Sequence, residues 1–237
     1  MSVAPLLQLE QVSVAVDETP ICHEVSLTIN EGETHILFGP NGSGKSSLLQ
    51  AIMGVGPFTI TAGTALLRGE DITSLDVTGR ANIGIGMAFQ RPPRMPGVTV
   101  AQFAEAMHAQ SAVATAAKTL QLEHLRDREV NCGFSGGETK RWEIMKLLLQ
   151  QPDLCLFDEP ESGVDLEHVA VVGRAVRQLL AQPGRHGQRG ALIVTHTGFI
   201  LDHLDATKAH LMVDGRIVES GEPHTLFERI RAHGYHP

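Results

Sequence analysis

GPNGSGKSS, residues 39–47, lies between a short apolar run, His35–Phe38, and a segment with helical spacing, Gly44–Met53. It fits the pattern G-x-x-x-x-G-K-S/T, which implies a strand, a glycine-rich turn and a helix in succession. Each residue type answers a chemical need. Gly39, Gly42 and Gly44 let backbone N–H groups turn inward around phosphate oxygens, and Pro40, Asn41, Ser43 and Ser47 complete the same loop. Lys45 brings a point positive charge to the phosphates, and Ser46 a hydroxyl suited to Mg²⁺. The helix starting near Gly44 aims its N-terminal dipole at the same anion. The strand before it and the helix after it separate this stretch from an ordinary glycine-rich turn.

Two further segments bear on the same chemistry. FSGGETKR, Phe134–Arg141, places Ser135, Gly136 and Gly137 at the predicted start of a helix. Ser135 with Glu138 is a good capping box, and a cap and an anion site share one geometry: a hydroxyl and free N–H groups at a helix N-terminus. LCLFDEP, Leu154–Pro160, reads as an apolar strand ending in two acids, Asp158 and Glu159. Asp158 suits a Mg²⁺ site and Glu159 the polarisation of an attacking water.

Around these segments the pattern is that of an α/β chain. Leu7–Val16 and Val25–Ile29 alternate apolar and polar residues as half-buried antiparallel strands do. Leu66–Arg68, Ile85–Phe89 and Ala191–Thr195 read as further strands, with helices over Gly137–Leu149 and Leu166–Leu180. Asp214-Gly215 between His210–Val213 and Arg216–Glu219 predicts a hairpin, and Glu222–Ala232 a closing amphipathic helix. Residues 92–131 change character. Pro92, Pro93 and Pro96 predict an irregular turn, after which Phe103, Ala104, Met107, Val113, Ala117 and Leu120 fall at helical spacing. This stretch reads as a small helical subdomain inserted into a single domain, 1–237, whose catalytic core is 1–91 with 132–237.

Composition narrows the function classes. With 42% hydrophobic and 19% charged residues, the 237-residue chain is ordinary globular protein. A net charge of −8 argues against a nucleic-acid partner, which demands clustered Lys and Arg. No apolar run reaches the ~20 residues of a membrane span, and no signal peptide is evident, so a cytoplasmic protein is expected. Cys22, Cys132 and Cys155 are too dispersed for metal-ligand spacing and read as reduced thiols.

The order of the motifs resembles that of the ATP-binding-cassette (ABC) ATPases over essentially the whole chain. The resemblance implies a P-loop NTPase core, a mixed sheet with flanking helices and an antiparallel β subdomain, with an inserted helical subdomain. It implies MgATP as ligand and ATP hydrolysis as activity. Gln90 matches the family's Mg²⁺- and water-contacting glutamine, and His196 its switch histidine at the γ-phosphate. SGVD, Ser162–Asp165, resembles the D-loop. Two copies are expected to pair head to tail when ATP binds, so that Lys45 of one and Ser135 of the other grip one γ-phosphate. The position at which the family stacks adenine on an aromatic ring is held by Val16, which implies modest nucleotide affinity.

Within that family, NCGFSGGETKRWEIMKLLLQQPDLCLFDEPESGVD and MAFQRPPRMPGV look like the SufC-type ATPases of iron–sulfur cluster assembly. That likeness implies a SufB/SufD-like scaffold as partner. Pro160, where SufC-type proteins usually carry Ser, is more typical of transporter ATPases, whose partner is a transmembrane subunit.

Overall fold

The computed structural model describes residues 4–235. The chain opens with β1 (Leu7–Val16) and β2 (Thr19–Ile29), then runs through β3 (Thr34–Phe38) and the Gly39–Gly44 loop into α1 (Lys45–Met53). Next come β4 (Phe58–Leu67), β5 (Glu70–Asp71), α2 (Val77–Asn82) and β6 (Ile85–Ala88). The inserted stretch holds β7 (Met95–Thr99), α3 (Val100–Ala106), α4 (Gln110–Leu120), a 3-10 turn at Glu123–Leu125 and β8 (Glu129–Val130). Then follow α5 (Gly136–Gln150), β9 (Leu154–Asp158), α6 (Leu166–Leu180) and β10 (Gly190–Val194). A 3-10 turn at Phe199–His203 leads to β11 (Lys208–Val213), β12 (Arg216–Gly221) and α7 (Pro223–His233).

Two main sheets result. The larger has the order β12-β11-β3-β10-β9-β6, parallel from β11 to β6 with β12 antiparallel at the edge. Every residue of β3, β9 and β10 is buried, as expected of strands covered on both faces. Alternate side chains feed two cores. Ile36, Phe38, Cys155, Phe157, Ala191 and Ile193 pack with α5, α6 and the inserted helices. Leu37, Leu154, Leu156, Leu192 and Val194 face α1 and the second sheet.

That second sheet is antiparallel, in the order β2-β1-β4-β5. In β1 the buried positions switch from Leu7 and Leu9 to Val12 and Val14. The register shifts between Leu9 and Val12, where Gln11 takes φ 49°, so a bulge there keeps both apolar sets on one face. Gly63 of β4 lies opposite, with φ 81°; a Cβ on it would come within 2.4 Å of the Glu10 and Gln11 carbonyl oxygens.

Several expectations need correction. Only Leu66–Arg68 reads as strand from sequence, yet β4 begins at Phe58; within FTITAGTA only Ala65 is buried, so its pattern is faint. The inserted stretch carries the expected helices α3 and α4, but the proline-rich lead-in is partly ordered. Met95–Thr99 pairs with Glu129–Val130, so a two-stranded ribbon joins the two ends of the insertion. The short α2, capped by the Asp76 side chain on Gly79 N–H, is also absent from the sequence reading. Cys22 and Cys155 are buried free thiols, both pushed up to about 12 by burial, and Cys132 is a half-buried one.

Candidate functional site

The loops after β3, β6, β9 and β10 leave the same edge of the larger sheet, the carboxyl ends of its parallel strands. Ligands of open α/β sheets bind at such an edge. One cleft there is lined by Ile21, Asn41, Gly42, Gly44, Lys45, Ser46, Ser47, Gln90, Glu159, Ser162 and His196. The structure therefore brings the phosphate loop together with Ile21, Gln90, Glu159, Ser162 and His196, the last about 150 positions away in sequence.

The loop is shaped as its sequence requires. Gly44, at φ 97°, caps α1, and a Cβ on Gly39 would stand 2.2 Å from the Met212 carbonyl oxygen. The hairpin turn predicted at Asp214-Gly215 supports this loop: Gly215 N–H donates to Ser43 O at 3.1 Å. Lys45 is buried, and its Nζ donates to Gly39 O and Pro40 O at 2.8 and 2.7 Å. Burial lowers its pKa, against the pull of Glu159 and Asp158.

Ser46 Oγ donates to Asp158 Oδ1 at 2.7 Å, so hydroxyl and carboxylate already meet. Burial raises the Asp158 pKa, and the Ser46 hydrogen bond opposes it. Among the described residues no group of three His, Cys, Asp or Glu could hold a metal alone. One hydroxyl and one carboxylate, with Gln90 nearby, suit Mg²⁺ arriving on phosphate oxygens, since Mg²⁺ keeps few protein ligands.

Glu159 is buried and sits at φ 47°, in the left-handed region a non-glycine residue rarely adopts. Its carboxylate accepts from Gln90 Nε2 and lies 3.1 Å from His196 Nδ1, while its own N–H donates to Val194 O at 3.1 Å. Lys140 of α5 is buried below, donating from Nζ to Gln90 O and Glu159 O, both at 3.0 Å. Glu161, also buried, accepts from the Thr195 and Thr197 hydroxyls, and Thr195 Oγ1 in turn accepts from Thr197 and Gly198 N–H. The turn that carries His196 is thus pinned on both sides.

Other expected site residues stand elsewhere. Ser135 and Gly136 are exposed, and neither they nor Gly137 nor Asp165 lines the cleft. The Ser135 side chain accepts from Glu138 N–H while Glu138 accepts from Ser135 N–H, the capping box read from sequence. The His124 imidazole, with the Ser135 N–H, holds Glu138 down at about 2. Asp165 caps α6 through His168 N–H at 3.0 Å. Gly136 packs on Gly163, 3.1 Å from any Cβ to the carbonyl oxygen, so the Ser135 end adjoins the SGVD segment. Val16 is half-buried and not in the cleft wall, where Ile21 stands instead. The motif reading missed Lys140 and Glu161 as buried partners. Their signal was weak: Lys140 is one of a Lys140-Arg141 pair in a charged helix, and Glu161 one more acid after Asp158 and Glu159, with no spacing to mark either.

Residues 22–162 match the family described as ABC transporter. The chain belongs to that family. It is an ABC-type ATPase, binding nucleotide and hydrolysing ATP. Among curated relatives it is 36% identical to "Probable ATP-dependent transporter SufC" of Escherichia coli (strain K12), over 97% of each chain. It is 34% identical to "Probable ATP-dependent transporter ycf16" of Cyanidium caldarium, over 99% of this chain and 97% of that one. It is also 36% identical to a "Probable ABC transporter ATP-binding protein" of Streptococcus pyogenes serotype M18, over 97% and 93%. A solved ATP-binding cassette of an ABC transporter superposes with a TM-score of 0.80 at 24% identity, over 97% of this chain and 96% of that one. That likeness establishes the cassette fold. Among the described residues no helix of this cassette is long and apolar enough to cross a membrane.

Proposed function

We propose that two copies of this chain pair head to tail around MgATP and use its hydrolysis to move a SufB/SufD-like scaffold protein in iron–sulfur cluster assembly. One observation carries the pairing. The cleft gathers Lys45, Ser46, Gln90, Asp158's neighbour Glu159 and His196, yet the second phosphate-suited helix end, Ser135–Gly137, lies outside it. A single copy thus offers two half-sites, and a second copy supplies Ser135, Gly137 and Asp165 to the first.

Within the closed pair, the loop N–H groups and Lys45 hold the phosphates; Ser46, Asp158 and Gln90 would hold Mg²⁺, which would supply positive charge against the phosphates. Glu159 takes the proton of the attacking water as general base. Gln90, bonded to that carboxylate, and His196, on its other oxygen, orient water and γ-phosphate. Loss of the γ-phosphate removes the contacts that hold the copies together, so the pair acts as a nucleotide-gated clamp. The inserted segment 92–131, bounded by its own ribbon, and the loop after Gln90 form the docking side for the partner.

The Suf-type partner rests on the whole-length likeness to the protein named SufC and on the segments Met87–Val98 and Asn131–Asp165. A cytoplasmic location follows from that role. Pro160 favours a second reading, the nucleotide-binding subunit of a membrane transporter. The deciding experiment is purification of the native protein from its own cells, with identification of the chain that accompanies it. A SufB/SufD-like protein supports the first reading; a polytopic membrane protein overturns it and leaves the ATPase chemistry as argued.

A further inference from the structure

Helix α5 lies along β6, the outermost strand of the larger sheet, and touches it through one face. Gln150 Nε2 donates to Ile85 O at 3.0 Å. Leu147 covers Gly86 so closely that a Cβ there would stand 2.7 Å from Leu147 Cδ2. Glu143 Oε2 accepts from Phe89 N–H at 2.9 Å, and Lys140 Nζ donates to Gln90 O at 3.0 Å. Positions 140, 143, 147 and 150 form one helical stripe running antiparallel to residues 85–90. An edge strand leaves N–H groups without a ladder partner, and Phe89 lies just beyond the last paired residue, Ala88. A buried carboxylate takes that donor.

Glu143 is a costly residue to place there. It is only 2% exposed, its Oε1 has no hydrogen-bond partner among the described residues, and its charge is met by Lys146 at 2.9 Å. Lys146 Nζ also lies 5.1 Å from the centroid of the Phe89 ring, so both the peptide N–H and the ring of Phe89 are held from α5. A merely apolar contact would anchor the helix at lower cost. What the carboxylate adds is a fixed position for the Phe89 peptide N–H, one residue before the one whose side chain meets Glu159.

We propose that Glu143 is a positioning residue of the ATPase site, fixing the Phe89–Gln90 backbone so that the Gln90 side chain engages Glu159. Because Ser135 caps α5, the same helix ties the half-site offered to a second copy to the hydrolytic residues of its own. This rests on the hydrolytic role given above to Gln90 and Glu159. Glu143 touches neither nucleotide nor water, and its effect passes through Gln90.

The test is steady-state ATP hydrolysis by the full chain carrying Glu143→Gln or Glu143→Asp, each alone and combined with Gln90→Ala. Gln keeps length and an acceptor oxygen; Asp keeps the charge but withdraws the acceptor by one methylene. We expect Glu143→Gln within twofold of the parent in kcat. We expect Glu143→Asp to lose at least fivefold in kcat, with the KM for ATP within twofold. In the Gln90→Ala background the Asp substitution changes kcat by less than twofold. A kcat for Asp equal to or above that for Gln overturns the proposal, as does an equal Asp loss with Gln90 removed. Full turnover by Gln90→Ala alone also overturns it, but through the role of Gln90, so the two failures are distinguishable. The comparison of these two conservative variants reads even where Glu143→Ala does not fold.

Discussion

Glu159→Gln separates the chemistry of the site from its architecture. The substitution keeps shape and replaces one carboxylate oxygen by an amide NH₂. Gln90 Nε2 retains an acceptor, while the 3.1 Å contact to His196 Nδ1 loses its charge. The His196 side chain is 36% exposed, and ion pairs with a partner so open to solvent contribute about 0–1 kcal/mol. For a domain of this size that is at most about 4 °C in Tm. Lys45, Ser46 and Asp158 keep their positions, so MgATP affinity should stay within about threefold, a change of roughly 0.7 kcal/mol. Loss of a general base removes ~10²–10⁴ in rate, which at 1.36 kcal/mol per tenfold is roughly 3–5 kcal/mol of barrier. Turnover, measured as phosphate release at saturating MgATP, should therefore collapse while a fluorescent ATP analogue still binds. Turnover within threefold of the parent would refute the role of Glu159. A tenfold loss of affinity with kcat intact would make it a ligand and not a base.

Lys45→Ala removes the buried cation of the phosphate loop and should weaken ATP binding at least tenfold; unchanged affinity by titration would undo the reading of that loop. His210 and His35 form a buried pair, Nε2 to Nδ1 at 3.1 Å, with burial as the main cause of lowered pKa values, His210 down to about 3. Both fold as neutral rings, so their contribution is complete above the unfolded histidine range and is lost as pH falls from ~6.5 toward 3. The denaturation midpoint should drop between pH 7.5 and 5.5, and drop less in His210→Gln; equal slopes would contradict this. Glu161 has its pKa raised by burial, so its protonated form suits the fold, and stability is lost as pH rises above the unfolded carboxylate range through the folded pKa. Glu161→Gln should then gain on the parent in urea midpoint at pH 8 relative to pH 5, and an identical pH difference would refute the assignment. Purified alone without nucleotide, the chain should scatter light as a monomer, and a stable nucleotide-free dimer would contradict ATP-dependent pairing.

The phosphate loop, the capping box at Ser135, the acidic strand end at Asp158-Glu159 and the hairpin at Asp214-Gly215 were legible because each is local. A few adjacent residues dictate a turn, a cap or a strand whatever surrounds them. Apolar periodicity likewise gave the buried strands and most helices, and the resemblance supplied roles for Gln90 and His196. Where the pattern is faint, as in Phe58–Leu67, or where proline masks pairing, as in Met95–Thr99, the sequence reading falls short.

What the amino-acid sequence determined, then, is the set of parts: a loop for phosphates, two acids, a second helix end and the family they resemble. Only the tertiary structure decided which parts meet. Parallel strands that are distant in sequence end at one edge, so Gln90, Glu159 and His196 converge on Lys45. The Lys140 amine under two carbonyls and the Glu143 carboxylate on Phe89 depend on where α5 packs against the sheet, and the left-handed backbone of Glu159 lies in a turn bonded to both α5 and β10. Local chemistry is written in neighbouring residues, but a buried charge or a strained dihedral is set by packing across the fold, where desolvation makes each unmet polar group costly.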